Sequence, residues 1–227
     1  MSFMTRALAE TAPLCAAMRD MPFNRGLADG SLPRAAFQRY IIQDAHYLNG
    51  FARALALAAG RAPDAQAVSQ LAGFAAGTLQ AEHELHAHYM GLFGVTKDDF
   101  AATPPSPACD HYTNFLIATS ATRSTAESVA AVLPCFWVYR DVGRAIHACA
   151  APDTPYRAWI DTYVSDRFDA AVEACCAVAE RLYESAQGTT RDSMCTIFAR
   201  STLLEWSFWD SAWHGHAWPD PVAVGQG

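Results

Sequence analysis

The chain has 227 residues, of which 52% are hydrophobic and only 17% charged, and its formal net charge is −7. This composition is typical of a folded globular protein with one sizeable core, and it excludes an intrinsically disordered chain. Because scattered lysines and arginines on an acidic chain repel a polyanion rather than gather it, nucleic acid is not expected as a partner.

The N-terminal segment, residues 1–19, does not have the pattern of a secretion signal. Arg6, Glu10 and Pro13 interrupt its short apolar stretches, so no continuous apolar core is present. Further along, no segment reaches the roughly 20 uninterrupted apolar residues that a membrane-spanning helix needs. The seven cysteines include no CxxC pair, as expected for thiols in a reducing compartment. We therefore expect a cytoplasmic protein that does not insert into a membrane.

Start and stop signals predict a succession of helices along the rest of the chain. Asp64 stands at the beginning of a long helical run that Gly94 ends, and Ser124 and Glu127 form an S-x-x-E capping box. Ser31 is expected to open an earlier helix. The predicted helices cover residues 31–59, 63–93, 109–121, 124–148, a segment that starts at 154, 166–185 and 189–213.

Two later helix starts are predicted from capping residues. Thr154 supplies a hydroxyl immediately before Pro155, which suits the first position of a helix. Asp166 is expected to cap the helix that follows.

The pattern as a whole predicts an all-α fold, because no segment sustains the alternation of apolar and polar residues that marks a strand. No internal repeat or low-complexity linker divides the chain. We therefore expect one domain over residues 1–218, a bundle of about seven or eight helices. Residues 219–227 are expected to form a disordered tail.

Polar residues stand on three helix faces that should point into the core. Asp44 and Tyr47 share the apolar stripe of the helix that starts near residue 31, and Cys135 and Tyr139 lie one turn apart on another inward face. Glu205 lies among large aromatic residues of the last helix. Burying an acid without a partner is costly, so each acid could form a buried ion pair, or each could serve proton transfer.

Each of these residues also has a purely structural explanation. A lone cysteine beside a tyrosine is more often part of the core than a nucleophile. Tyr112 and Tyr163 could add aromatic walls to a pocket, although single tyrosines of this kind are usually core or rim residues. Two acids and a thiol on the inward faces of three helices are harder to explain as packing alone, since pockets in helical bundles are built in this way.

Three segments resemble the signatures of the thiaminase II (TenA) family. Their order and spacing also fit that family, and the similarity spans about residues 4–218. The first segment is Asp29–Leu32 with Phe37, Tyr40, Gln43, Asp44 and Tyr47, the second is Leu133–Tyr139, and the third is Glu205–Asp210.

The resemblance implies a haem-oxygenase-like helical bundle that assembles as a homotetramer and needs no cofactor and no metal. It also implies hydrolysis of thiamine, or of 4-amino-5-aminomethyl-2-methylpyrimidine, to 4-amino-5-hydroxymethyl-2-methylpyrimidine for thiamine salvage. The presence of Cys135 places the chain in the cysteine-bearing group of the family.

The same resemblance assigns roles to seven residues. Cys135 would be the nucleophile, Glu205 the proton donor and acceptor, and Asp44 the acid that holds the 4-amino group of the pyrimidine. The aromatic residues that would bind the ring and donate hydrogen bonds are Tyr47, Tyr112, Tyr139 and Tyr163.

A metal-dependent oxidase on the same bundle is one alternative. On the second long helix, Glu82 lies four residues and His83 three residues before His86, a spacing at which metal ligation is sterically possible. However, di-iron sites in helical bundles rely on Glu-x-x-His pairs, and none of the eight histidines follows an acid at that spacing. A polar helix face is therefore the favoured explanation.

Two further alternatives remain open. The chain could be a binding or regulatory protein that keeps the pyrimidine pocket without turnover, since a small displacement of one catalytic group can abolish catalysis. Redox chemistry at the adjacent Cys175 and Cys176 is weakly supported, because neighbouring cysteines in a helix point in different directions.

Overall fold

The computed structural model describes residues 1–219, except for the side chains of residues 81–83, 86 and 97. Within this part the chain forms α-helices and no strand, which confirms the predicted all-α class. Residues 220–227, most of the predicted tail, lie outside the described residues, so the domain boundary at 218 stays a prediction. The helices are α1 (Phe3–Asp20), α2 (Pro22–Asp29), α3 (Arg34–Gly60), α4 (Ala65–Phe93), α5 (Lys97–Ala102), α6 (Pro107–Thr122), α7 (Thr125–Cys149), α8 (Arg157–Tyr163), α9 (Asp166–Ser185) and α10 (Gly188–His214).

Capping signals in the sequence set the ends of two long helices. The Asp64 carboxylate accepts a hydrogen bond from the backbone N–H of Ala67 at 2.7 Å at the start of α4. Gly94 ends α4 with a φ of 68°, a left-handed conformation that glycine adopts without steric cost. Ser124 and Glu127 form the predicted capping box before α7. Both helices therefore have ends that local hydrogen bonding determines.

The helix predicted to begin at Thr154-Pro155 begins later, as α8 at Arg157. The Thr154 hydroxyl donates a hydrogen bond to the carbonyl oxygen of Leu27 at 3.0 Å. This contact joins the segment before α8 to α2. The prediction of that helix start was wrong: the Thr154 hydroxyl also accepts from the backbone N–H of Tyr156 at 3.4 Å, and so it stabilises a turn before α8 instead of the first turn of a helix.

Two other helix starts differ from the prediction by a few residues. α3 begins at Arg34 rather than at Ser31. α9 is capped by Ser165, whose hydroxyl accepts a hydrogen bond from the backbone N–H of Phe168 at 3.2 Å, so Asp166 is the first helical residue and not the cap. The structure also has more helices than the seven or eight expected, partly because α2 and α5 are too short to give a clear periodic pattern.

α7 runs through the middle of the bundle. It packs against α3, α6, α9 and α10, and residues 129–133 have no exposed surface. Pro134 follows this buried stretch, and because proline has no N–H, α7 lacks one backbone hydrogen bond in the turn before Cys135. Cys135 therefore lies on a helix that its neighbours hold firmly, at a point where the helix itself is locally weakened.

α8 approaches α7 closely at Gly143. A β-carbon at this position would lie 2.8 Å from the β-carbon of Tyr163, which is well inside van der Waals contact. The missing side chain of Gly143 therefore allows Tyr163 to lie against α7, where it faces Tyr139. Among the described helices, none combines the length and the apolar character that crossing a bilayer requires.

Candidate active site

The seven side chains singled out in the sequence come from five helices and meet in the core of the bundle. Six of them are at most 3% exposed, and Cys135 is half-buried. The contributing residues are Asp44 and Tyr47 from α3, Tyr112 from α6, Cys135 and Tyr139 from α7, Tyr163 from α8 and Glu205 from α10.

A small space, which we call the inner cavity, lies beside Cys135. Asp44, Tyr139 and Tyr163 line it together with the thiol, and its volume is about 30 Å³, which is room for about one or two water molecules. The rings of Tyr139 and Tyr163 face each other with centroids 4.9 Å apart. A thiol, a carboxyl and two phenols therefore border the same space.

Tyr47, Tyr112 and Glu205 form a second group that is connected to the first. The ring centroids of Tyr47 and Tyr112 are 4.8 Å apart, and the Tyr112 hydroxyl lies 2.7 Å from Oε1 of Glu205. Electrostatic interactions link both tyrosines to Cys135 and link Glu205 to Asp44. The seven side chains thus form one continuous cluster.

Burial changes the protonation of Glu205. Desolvation in the core raises the pKa of its carboxyl from 4.5 to about 8, hydrogen bonding to Tyr112 opposes this shift, and the charge of Asp44 adds to it. No basic side chain of the described residues contributes to this pKa, so the ion pair considered for Glu205 from the sequence is not found. A carboxyl that stays protonated near neutral pH is suited to donate a proton.

Three phenols of the cluster also stay protonated at neutral pH. Burial is the largest cause that raises the pKa of Tyr47, Tyr112 and Tyr139 well above 10.0. These side chains therefore serve as hydrogen-bond donors and as aromatic walls, and they carry no charge.

Two polar members of the cluster were not predicted as site residues. The Tyr40 hydroxyl donates a hydrogen bond to the Tyr139 hydroxyl at 3.2 Å. The Ser201 hydroxyl lies 2.9 Å from that of Tyr112. Ser201 precedes Glu205 by four residues on α10, so the spacing that places both on one helix face was available as a signal.

A larger space, which we call the outer cavity, adjoins the inner one. Its volume is about 450 Å³, within the range of small-molecule sites. Thr78, Phe136 and Phe168 line both cavities and so separate them. The outer wall includes Gly73 and Gly77 of α4, and a β-carbon at either glycine would meet no atom within 4 Å. These two glycines therefore leave the outer cavity wider than other residues would.

The cluster considered for metal binding falls on side chains outside the described part of the chain, namely those of Glu82, His83 and His86. Among the side chains that are described, no three acids, histidines or cysteines are grouped so that they could hold a metal ion. Cys175 and Cys176 are both free thiols, and burial raises the pKa of each. These thiols are therefore poorly suited to redox chemistry.

Known relatives match most of the chain. The sequence model of the TENA/THI-4/PQQC family matches residues 16–215. The aminopyrimidine aminohydrolase of Bacillus subtilis (strain 168) is 33% identical over 199 residues, which cover 88% of this chain and 84% of that protein.

Solved structures give the same picture of the fold. A TenA homologue from P. horikoshii OT3 has a TM-score of 0.85 and 25% identity, over 95% of this chain and all of that one (100%). A domain of unknown function from Shewanella denitrificans OS217, described as having a haem-oxygenase-like fold, has a TM-score of 0.72 and 20% identity, over 93% and 92% of the two chains. The haem-oxygenase-like architecture expected from the sequence is therefore confirmed.

Proposed function

The chain belongs to the TENA/THI-4/PQQC family, and we propose that it is an aminopyrimidine aminohydrolase acting in thiamine salvage. Its reaction would convert 4-amino-5-aminomethyl-2-methylpyrimidine and water to 4-amino-5-hydroxymethyl-2-methylpyrimidine and ammonia. The observation that carries this proposal is the meeting of the Cys135 thiol with the Asp44 and Glu205 carboxyls inside one aromatic cluster. The Bacillus subtilis relative, which has the same activity in its name, supports it.

The proposed mechanism uses Cys135 to make a poor leaving group depart. The amine is attached to a methylene on an aromatic ring, which resists direct displacement. Addition of the thiolate to a ring carbon forms a C–S bond and breaks aromaticity, so an electron pair from the ring can expel the amine as the exocyclic C–N bond breaks. Water then adds to the methylene carbon, and loss of the thiolate restores the aromatic ring. No oxidant or reductant is consumed.

Glu205 would transfer protons in this reaction, and Asp44 would orient the ring. Glu205, whose carboxyl keeps its proton up to about pH 8, would protonate a ring nitrogen or the departing amine and then help to activate water. Asp44 would accept a hydrogen bond from the 4-amino group and so fix the orientation of the ring. Tyr139 and Tyr163 would contact the faces of the heterocycle.

Substrate entry requires a side-chain movement. The inner cavity of about 30 Å³ is too small for a substituted pyrimidine ring, since it has room for only about one or two water molecules. Thr78, Phe136 and Phe168 separate it from the outer cavity. A ring that passes from the outer into the inner cavity would displace these side chains, which suggests that binding proceeds by induced fit.

Incubation of the purified protein with the aminomethyl pyrimidine tests the proposal directly. We expect release of the hydroxymethyl pyrimidine and of one equivalent of ammonia, followed by liquid chromatography and by a coupled ammonia assay. Binding of the pyrimidine without any release of ammonia would instead identify a binding or regulatory protein. Stoichiometric iron or manganese in active protein would reopen the oxidase hypothesis.

The outer cavity favours thiamine as a second substrate. Its volume of about 450 Å³ leaves room for a second ring beyond the pyrimidine, and Phe74, Phe136 and Phe168 contribute aromatic walls. Glu84 and Asp161 add two carboxylates to the same lining and Arg167 adds one guanidinium, so its formal charge is negative. Aromatic faces and carboxylates both attract a ring cation, and the thiazolium of thiamine is such a cation.

A Gly77→Leu variant tests this use of the outer cavity. Leucine favours the helix more than glycine does, by about 1 kcal/mol, and it would project into open space, so the fold should persist. We expect kcat/KM for thiamine to fall about 10-fold or more, because the larger substrate loses its room, while kcat/KM for the aminomethyl pyrimidine changes little. Gly91→Leu, on the same helix but outside the cavity lining, is the matched control. Equal losses with both substrates would contradict the assignment.

The homotetramer and the cytoplasmic location expected from the sequence remain proposals. Several apolar side chains of α3, α4 and α10 stand on the outside of the bundle. Those more than one third exposed include Leu57, Val68, Leu79, Leu92 and Leu203.

A further inference from the structure

Three consecutive contacts connect Glu205 to the backbone of α7. Oε1 of Glu205 lies 2.7 Å from the Tyr112 hydroxyl, and this hydroxyl lies 2.9 Å from Oγ of Ser201. Oγ of Ser201 lies 2.6 Å from the carbonyl oxygen of Ala131. The three side chains are at most 1% exposed. Because water does not reach them, these groups must satisfy one another.

The number of available hydrogens sets the direction of these three hydrogen bonds. A carbonyl oxygen only accepts, so the hydrogen of Ser201 is committed to Ala131. Oγ of Ser201 can then only accept from Tyr112, which uses the single hydroxyl hydrogen of that tyrosine. The Tyr112 oxygen is left as an acceptor toward Glu205. Two hydroxyl hydrogens cannot supply three hydrogen bonds, so the contact of 2.7 Å between Tyr112 and Glu205 can coexist with the other two hydrogen bonds only when the Glu205 carboxyl carries the third hydrogen.

An ionised Glu205 would leave one of these three contacts without a hydrogen. It would take the hydrogen of Tyr112, and the contact between Tyr112 and Ser201 would then need the hydrogen of Ser201. Oγ of Ser201 and the carbonyl oxygen of Ala131 would face each other at 2.6 Å without a hydrogen between them. A buried pair of acceptors in this arrangement is strongly unfavourable.

We propose that Ser201 is a positioning residue for the reaction, which keeps the Glu205 carboxyl protonated by accepting the hydrogen of Tyr112 and donating its own to the Ala131 carbonyl. The inference rests on the proposed role of Glu205 as the proton donor. Without Ser201, the Tyr112 hydroxyl would donate to the carboxylate and favour its ionised form. Ser201 thus determines whether the Tyr112 hydroxyl donates to Ser201 or to Glu205.

The surroundings of Glu205 are consistent with a neutral carboxyl. The titratable groups that interact with it are Asp44 and Tyr47 from α3, Tyr112 from α6 and Tyr139 from α7, and Cys135 interacts with two of these tyrosines. None of these groups is a cation that would favour an ionised carboxylate. Burial is the largest cause that raises the pKa of Glu205, whereas a hydrogen bond donated by Tyr112 to the carboxylate lowers it, which is the donation that Ser201 would prevent.

Replacement of Ser201 by alanine tests the proposal through the pH dependence of activity. In Ser201→Ala, Tyr112 is expected to donate to Glu205, so the alkaline limb of the kcat/KM profile should move down by about one pH unit or more. A shift of one unit corresponds to a tenfold change in the ionisation equilibrium. For a shift of one unit, activity should therefore fall about 5-fold at pH 8 and hardly at all at pH 6. An equal loss at every pH would overturn the proposal.

Two further serine variants separate the hydroxyl from the rest of the side chain. Ser201→Thr keeps a hydroxyl and is expected to keep the wild-type pH profile, and a downward shift equal to that of alanine would overturn the proposal. Ser207→Ala is the matched control, because this serine of α10 is only partly buried and donates to the Leu203 carbonyl of its own helix. Its pH profile should not change.

Infrared difference spectroscopy tests the proposal without any turnover. Wild type minus Glu205→Gln at pH 7 should show the C=O stretch of a protonated carboxyl, and the same band should be about half as strong in Ser201→Ala, because a pKa lowered by one unit leaves about half of the carboxyls protonated at that pH. A carboxylate band in the wild type would overturn the inference. If the protein released no hydroxymethyl pyrimidine, the proposed function would fail, but the infrared result would still decide whether Ser201 keeps Glu205 neutral.

Discussion

A Cys135→Ala variant is expected to keep the fold and to lose about 10³-fold or more in kcat with the aminomethyl pyrimidine. The reason is that the carboxyls of Asp44 and Glu205 can bind the ring and move protons, but neither can replace the sulfur that adds to the ring carbon. The half-buried thiol makes only a modest packing contribution, so the loss of stability should be about 1 kcal/mol. Single-turnover kinetics and thermal melts measure the two effects separately.

Cys149→Ala provides the matched control, because Cys149 is an exposed thiol at the end of the same helix. Its activity should equal that of the wild type. Cys135→Ala should still bind the hydroxymethyl product, as measured by titration calorimetry, since the residues proposed to hold the ring are intact. Wild-type turnover by Cys135→Ala would remove the covalent mechanism while leaving the bundle and its cavity as described.

A Glu205→Gln variant is expected to lose about 10² to 10⁴-fold in kcat, the usual contribution of a positioned acid or base. Glutamine keeps the shape of the side chain but cannot deliver a proton. Because the carboxyl has a pKa of about 8, wild-type activity should decline as the pH rises through about 8. The residual activity of the variant should lack this decline, which a pH profile of kcat/KM would reveal.

The same substitution should change how stability depends on pH. The pKa of Glu205 is about 8 in the folded protein, compared with an ordinary value of 4.5, so the folded state holds a proton that the unfolded state releases between these values. The stabilising contribution of the neutral carboxyl is fully present below about pH 4.5 and is lost as the pH rises through about 8. The Tm of the wild type should therefore fall relative to that of Glu205→Gln over this interval.

Glu184→Gln is the control for both measurements, because Glu184 lies near the end of α9 and is exposed. It should leave the pH profile of activity and the slope of Tm against pH unchanged. If Glu205→Gln and the wild type had parallel Tm curves between about pH 5 and pH 8, Glu205 would not hold a proton in the folded state, and its role as an acid would have to be abandoned.

Much of the candidate site could be expected from the sequence. The inward helix faces placed Asp44, Cys135 and Glu205 toward a common core, and the motif resemblance singled out the four tyrosines. Helical periodicity specifies which face is buried, so it predicts that residues of different helices point inward. It does not specify how far apart they lie or which atoms touch, and their chemical roles remain to be tested.

The sequence by itself determined the all-α class and the ends of helices such as α4 and α7. Such ends depend on residues within one turn of each other, as Asp64 with Ala67 and Ser124 with Glu127 show. Local chemistry of this kind is fully present in the linear order of residues.

Only the tertiary structure decided what joins distant parts of the chain. The Tyr112–Ser201 contact spans 89 residues and the contact from Thr154 to Leu27 spans 127. In both cases packing brings a hydroxyl within hydrogen-bond distance of a partner that the local sequence pattern does not reveal. These long-range contacts also determine the direction of each buried hydrogen bond, because every hydroxyl has a single hydrogen to donate. The proposed protonation of Glu205 follows from the direction at Tyr112.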